Sequence, residues 1–392
     1  MPKMKKSDWF KNSIIYHVLI DRFAGFKSIK DWDNPKFLGG NVRGIINKLD
    51  YLKNLGINTI WISPFYETTE YHGYHITNFF RVDSHFGDEE DIKELIKSAH
   101  EMKLKIIVDF VPNHCSIKHP FFIDAQKNRN SNYKNWFYFN KWPNEYLSFL
   151  SIKEIPKLNL DNIETREYII NAAKYWLNFG FDGFRLDHVI GSSMSFWNKF
   201  NNEIKKQYPT TVLIGEAWMK GIKFKELKTI KIPYKFIKWL KSSSSDNILK
   251  EYVDVFDGAL DFKFQELIRL LVAYNQISYK KYSEYLEEHY FKFPQNFYLP
   301  NFLDNHDMNR FLFECNNNKN KLKKAAEYQF LVNQPVIIYY GTEIGLTQNK
   351  SIWNVESHGD LQTRMPMIWR DYDENLLNFY KDLIQKRINK SL

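Results

Sequence analysis

Residues 182–218 read DGFRLDHVIGSSMSFWNKFNNEIKKQYPTTVLIGEAW. Residues 182–187 read as a short strand, in which Arg185 and Asp187 fall on one side. Residues 194–207 follow with helical periodicity, and 211–216 make a second apolar strand ending in Glu216. Strand, helix, strand within 37 residues implies a parallel pair, because a crossover helix must carry the chain back to the same edge. The alternation repeats on both sides of this stretch. Upstream, strands are predicted at Ile14–Ile20, Ile57–Ile62 and Lys105–Phe110. Helical stripes lie between them at Ile45, Ile46, Leu49, Leu52 and Leu55, ending at Gly56, and at Ile92, Leu95, Ile96, Ala99 and Met102. A helix at 164–179 precedes the quoted stretch. Downstream come an irregular helical region with the run Ser242–Ser245, a strand near Val255–Phe262, helices to about Tyr290 and a strand at Phe297–Leu303. A helix at 321–333, a strand at Pro335–Tyr340 and a closing helix at 374–388 complete the series.

Eight strands, each followed by helix, predict an α/β fold, a (β/α)8 TIM barrel of typically ~250 residues plus insertions. From Pro112 to about Leu158 the periodicity breaks into an aromatic, Asn-rich stretch, read as a small subdomain inserted after strand 3. The expected division is barrel 1–111, inserted subdomain 112–160 and barrel 161–392. The insertion's Trp136, Phe137, Tyr138, Phe139 and Trp142 either pack against the barrel or line a ligand site.

Composition narrows the class. With 44% hydrophobic and 26% charged residues the chain is globular rather than disordered. Two cysteines, Cys115 and Cys315, exclude a disulfide framework and a cysteine zinc cluster. The excess of 55 Lys+Arg over 46 Asp+Glu is scattered in short clusters such as Lys3–Lys6 and Lys319–Lys324, so no nucleic-acid partner is expected. No stretch reaches the ~18–20 apolar residues of a membrane span, and no apolar leader follows the basic N-terminus, so neither a membrane partner nor export is expected and the cytoplasm is the expected compartment. The aromatic load, 32 Phe, 24 Tyr and 11 Trp, exceeds what one core needs and suits ring-stacking surfaces such as sugar sites.

In a barrel of this kind the chemistry sits at the C-terminal ends of the strands. Those ends read Asp109-Phe110-Val111-Pro112-Asn113-His114, Arg185-Leu186-Asp187-His188, Gly215-Glu216-Ala217-Trp218 and Leu303-Asp304-Asn305-His306-Asp307. Carboxylates at successive openings, without a Cys/His metal cluster, point to glycoside hydrolysis. One carboxyl must be protonated to serve the leaving oxygen, and another ionised to attack the anomeric carbon. Arg185 is placed to hold Asp187 ionised. Cys115, next to His114, is better read as structural than as a nucleophile, because the carboxylates are better placed.

These segments resemble, in order, the four conserved regions of the alpha-amylase superfamily, glycoside hydrolase family 13. Ile57–Pro64, Ile155–Asn159 and Gln334–Gly341 resemble three further family segments, and the likeness runs from about Asp8 to Arg387. The resemblance implies Asp187 as nucleophile, Glu216 as general acid/base and Asp307 as the carboxylate that orients sugar hydroxyls and stabilises the transition state. It implies substrate-binding roles for Tyr74, His114, Arg185, His188, Trp218, His306, Asp360 and Arg364. The expected substrate is an α-glucan, in a retaining hydrolysis of α-1,4 bonds in maltooligosaccharides, cyclodextrins or starch fragments. A transglycosylase using the same site and a non-catalytic interaction protein are the alternatives. No cofactor is expected for the chemistry. A structural calcium ion is the one group the resemblance allows, with Asn113 and Asp161 as candidate ligands, against a reading in which Asn113 caps a loop.

The departures are specific. His75 and Asn78 stand where acidic residues are common, and no Lys-His pair follows Asp187. The Ile155–Asn159 segment is similar to the neopullulanase and cyclomaltodextrinase branch. That branch normally has an N-terminal β-domain, and most of the family a C-terminal β-sandwich. With the first strand at Ile14 and the last helix near Leu392, neither is expected here, and the assembly is expected to be a monomer or homodimer.

Overall fold

The computed structural model describes residues 8–26, 28–218, 245–354 and 358–391, so Lys3–Lys6 and most of the Ser242–Ser245 region lie outside it. Eight strands form one sheet: β1 (Ile14–Val18), β2 (Thr59–Ile62), β3 (Lys105–Phe110), β4 (Gly183–Leu186), β5 (Val212–Gly215), β6 (Gly258–Ala259), β7 (Asn301–Phe302) and β8 (Val336–Tyr339). Their order is β6-β5-β4-β3-β2-β1-β8-β7. The first strand thus lies beside the last, the neighbourhood a (β/α)8 sheet requires. The pairings β1–β2, β1–β8, β7–β8, β4–β5 and β5–β6 are all parallel.

The chain divides into two compact units. The first contains 64–84 and 108–259, and so includes β4, β5, β6 and the 112–160 segment. Here Arg185 on β4 is in register with Ile214 on β5, and Gly258 on β6 with the same Ile214. The helix Ile163–Leu177 starts where the Asn162 side chain accepts the Thr165 N–H at 3.0 Å. Ser193 starts Met194–Gln207 in the same way on Phe196. Each cap satisfies a helix N–H that has no intrahelical partner. Aromatic residues fill much of this unit's interior. Trp176 is fully buried, meets Phe65 edge-on and donates to the Phe79 carbonyl at 2.7 Å. In 112–160, Phe121 stacks on Tyr133 at 4.0 Å, and the buried Trp136 packs on Tyr168. The Trp142 indole donates to the Ala125 carbonyl. Of the two readings left open for this cluster, packing is the one these contacts support.

The second unit contains 8–63, 85–107 and 260–392, with β1, β2, β7 and β8. Ile15 on β1 pairs with Thr59 on β2 and with Ile337 on β8. Helix Glu89–Glu101 begins with a reciprocal capping box between Asp88 and Asp91.

Most strands end a residue or two inside their predicted bounds, and two are cut to two residues each. In place of Val255–Phe262 only Gly258–Ala259 is extended. The Val255 and Phe256 N–H groups close a turn on the Tyr252 carbonyl, and Asp261 caps the next helix through Phe264 N. In place of Phe297–Leu303 only Asn301–Phe302 remains, because Leu299 N donates to the Gln334 side chain and Pro300 has no N–H to give. Among the described residues no helix is long and apolar enough to cross a membrane.

Candidate active site

In the first unit the strand ends converge on one guanidinium. Arg185, midway along β4, is 1% exposed. Its Nη1 lies 2.7 Å from Asp109 Oδ1 and 2.7 Å from Asp187 Oδ1, and its Nη2 pairs with Glu216 Oε1. Period-2 alternation on β4 sends Arg185 and Asp187 to one face, so they meet. Burial works against the charge on Arg185, but Asp109, Glu216, Tyr74 and Asp187 outweigh it and hold the guanidinium well above its usual range. Glu216 Oε2 accepts the His188 N–H at 3.1 Å, which fixes the carboxylate from the backbone side. The Tyr74 hydroxyl donates to Asp109 Oδ2 at 2.8 Å. His114 and His188 both pack against Phe149, with ring centroids 4.7 Å away in each case. Trp218 is half-buried two residues past Glu216.

In the second unit a second arginine gathers the remaining predicted residues. Arg364 Nη2 lies 3.0 Å from Asp307 Oδ1, Nη1 lies 2.5 Å from Asp360 Oδ2, and Nε donates to the His306 carbonyl. His306 Nε2 is 3.1 Å from Asp307 Oδ2. Its ring meets His17 edge-on, and His17 stacks on Trp61 at 3.6 Å. The Asp307 side chain is 32% exposed, against 9% for Asp187 and 9% for Glu216. It is thus the most exposed of these three carboxylates.

Asp109 was not among the residues predicted for the site, although it holds both Arg185 and Tyr74. The available signal was a carboxylate one residue from the end of a strand, directly after the apolar run Ile106–Val108. Lys157 was missed too. Its side-chain nitrogen donates to Asn113 Oδ1 at 2.8 Å and to the Gly191 carbonyl. Asp161 Oδ1 accepts the Ser193 hydroxyl at 2.7 Å, and its Oδ2 accepts from Tyr138. The expectation that Asn113 and Asp161 hold calcium therefore meets a donor set that does not fit. The Asn113 oxygen is already taken by a nitrogen, which cannot serve as a hard-cation ligand in its protonated form. Among the described residues no group of three or more His, Cys, Asp or Glu side chains is placed to hold a metal ion. Cys115 is fully buried and burial pushes its thiol well above the usual value, which leaves it unreactive.

Buried histidines set a pH dependence. Burial, with the Lys157 and Arg185 charges, pulls His188 down to about 3, and burial pulls His119 down to about 4. Both stay neutral when folded, while in the unfolded chain they take a proton near pH 6.5. The unfolded state then binds more protons as pH falls, so the penalty is absent above about 6.5 and grows toward the folded values. Tm should fall between pH 6.5 and 4, and His119→Asn should flatten that fall. A Tm that is flat across this window would contradict the assignment.

In the first unit, carboxylates that follow the parallel strands β4 and β5 are held on one buried arginine, an arrangement that suits an α/β barrel. The chain belongs to the alpha-amylase family: residues 9–376 match its catalytic domain. Alpha-amylase 2 of Dictyoglomus thermophilum is 39% identical over 97% of this chain and 63% of its own length. Neopullulanase 2 of Thermoactinomyces vulgaris is 29% identical over 97% of this chain and 63% of its own. The chain thus spans 63% of the length of these relatives. Among solved structures, the alpha-amylase of Geobacillus thermoleovorans complexed with acarbose superposes with a TM-score of 0.80 at 28% identity. That match covers 97% of this chain and 79% of that one.

Proposed function

We propose that the protein is a retaining glycoside hydrolase that cleaves α-1,4-glucosidic bonds of maltooligosaccharides, cyclodextrins or starch fragments, inside the cell. Asp187 attacks the anomeric carbon while Glu216 protonates the leaving oxygen. The bond to the leaving sugar breaks and a covalent glycosyl-enzyme forms. Glu216, now ionised, takes a proton from water, which displaces Asp187 and restores both groups. Asp307, steadied by Arg364 and His306, is assigned to the sugar hydroxyls and the developing positive charge. The 112–160 segment is assigned to a small subdomain that adds to the substrate-binding wall.

The observation that carries this reading is Arg185 bridging Asp187 and Glu216. One guanidinium spanning both carboxylates favours the ~5–5.5 Å spacing of retaining enzymes over the ~6.5–9.5 Å of inverting ones. It also stabilises an ionised Asp187 before attack. The names of the relatives, alpha-amylase and neopullulanase, support a glucan substrate. A transglycosylase would use the same intermediate with a sugar acceptor. A non-catalytic member would lack the carboxylates that this chain retains.

Product profiles on maltoheptaose, β-cyclodextrin and pullulan test the proposal. Shorter maltooligosaccharides from at least one of them are expected. Products longer than the starting maltotriose in a parallel reaction would identify transfer, and no cleavage of any of these would contradict the reading. The comparison of kcat/KM sets the preference, since discrimination lies in transition-state binding. The absence of a Lys-His pair after Asp187 and the Ile155–Asn159 segment lead us to expect higher kcat/KM on β-cyclodextrin and maltotriose than on soluble amylose.

A further inference from the structure

Lys157 is 5% exposed and sits in the Ile155–Asn159 segment, where its backbone bridges that of His114. Its side-chain nitrogen donates to two acceptors from separate stretches. Asn113 follows β3, and its carbonyl accepts the Leu158 N–H at 3.0 Å, while Gly191 lies four residues past Asp187. The approach at Gly191 is close: a Cβ there would stand 2.2 Å from Asn113 Oδ1 and 2.7 Å from His188 Cδ2. Only a residue without a side chain lets the turn after Asp187 reach the end of β3 in this way. A charged lysine is almost never found this deep unless its donors are met.

A calcium ion would need ~6–8 oxygens at ~2.3–2.6 Å. Beside Asn113 it would collide with a nitrogen 2.8 Å from the same oxygen.

We infer that Lys157 is a built-in substitute for a divalent cation, a positioning residue that ties the turn following Asp187 to the end of β3, and that no calcium binds there. The pairing of Asn113, Lys157 and Gly191 then does for the nucleophile's turn what a bridging ion does elsewhere: it draws oxygens from separate stretches onto one centre.

Thermal unfolding of the full chain, with no substrate present, tests this apart from the glucan reading. Wild-type Tm should be the same after EDTA treatment with or without millimolar Ca2+. Lys157→Met should lower Tm, give no response to Ca2+, and lower kcat on whatever substrate the wild type turns over by more than it changes KM. Lys157→Asp puts a carboxylate near Asn113 Oδ1, the Gly191 carbonyl and Asp161, and should lose Tm in EDTA and regain it in Ca2+. A wild-type Tm that rises with Ca2+ after EDTA overturns the inference, as does Lys157→Met with wild-type Tm and kcat. A folded Lys157→Asp that ignores Ca2+ overturns the equivalence with a cation. If neither variant folds, the wild-type comparison still decides whether an ion is bound.

Discussion

Purified Asp187→Asn and Glu216→Gln are each expected to lose at least about 10³-fold in kcat while remaining folded. In the proposed double displacement each residue performs a half that no neighbour can take over. An amide at 187 cannot attack the anomeric carbon, and an amide at 216 cannot give or take the proton. Folding should survive because Arg185 keeps Asp109 and one further carboxylate in either variant. The substitutions also conserve volume in a packed site. Circular dichroism and Tm check the fold, and initial rates on maltoheptaose check turnover. More than a tenth of wild-type activity in Asp187→Asn would remove it as nucleophile.

Arg185→Met should be the most destabilising single change in the site. It strips the guanidinium from Asp109, Asp187 and Glu216, whose side chains are 0%, 9% and 9% exposed. Breaking a buried ion pair from one side typically costs ~3–5 kcal/mol, because the remaining charge is left uncompensated. Turnover should drop by a further ~10²–10³-fold where folded protein can be recovered, as for the loss of a preorganised electrostatic contact. Arg185→Lys keeps a charge but loses the planar fork that reaches three carboxylates, so it should restore part of the stability and little of the activity. Denaturant unfolding gives the comparison. Wild-type stability in Arg185→Met would show that the carboxylates are held by something else.

Most of the strand–helix series was legible because it is local. Asn162 and Ser193 cap the helices where periodicity places their starts, and residues 194–207 are helical end to end. The strands cut to two residues, β6 and β7, were shortened by contacts distant in sequence or by caps, such as Leu299 to Gln334, which an apolar run does not reveal. The same divide holds for the site. Asp187 and Glu216 directly follow β4 and β5, where the sequence places them, whereas Asp307 lies in the loop beyond β7. Asp109 became visible only once Arg185 and Tyr74 were seen to share it. Lys157 was hidden for a further reason: a lysine in a polar loop reads as solvent-exposed, and only the fold shows it buried on Asn113 and Gly191. The aromatic excess is taken up in part by the core. Trp136, Phe137 and Trp176 are buried packing residues rather than an open stacking surface.

The proposed reaction passes through a covalent glycosyl-enzyme on Asp187. The most direct measurement is mass spectrometry of the protein inactivated by a 5-fluoro-α-glucosyl fluoride, followed by peptide mapping. Electron withdrawal by fluorine slows both steps, while the good leaving group lets the first proceed, so the intermediate accumulates. The predicted result is one added fluoroglucosyl mass on the peptide carrying Asp187, absent in Asp187→Asn. A label on Glu216, Asp307 or any other residue, or turnover that releases the inverted sugar with no label at all, would contradict it.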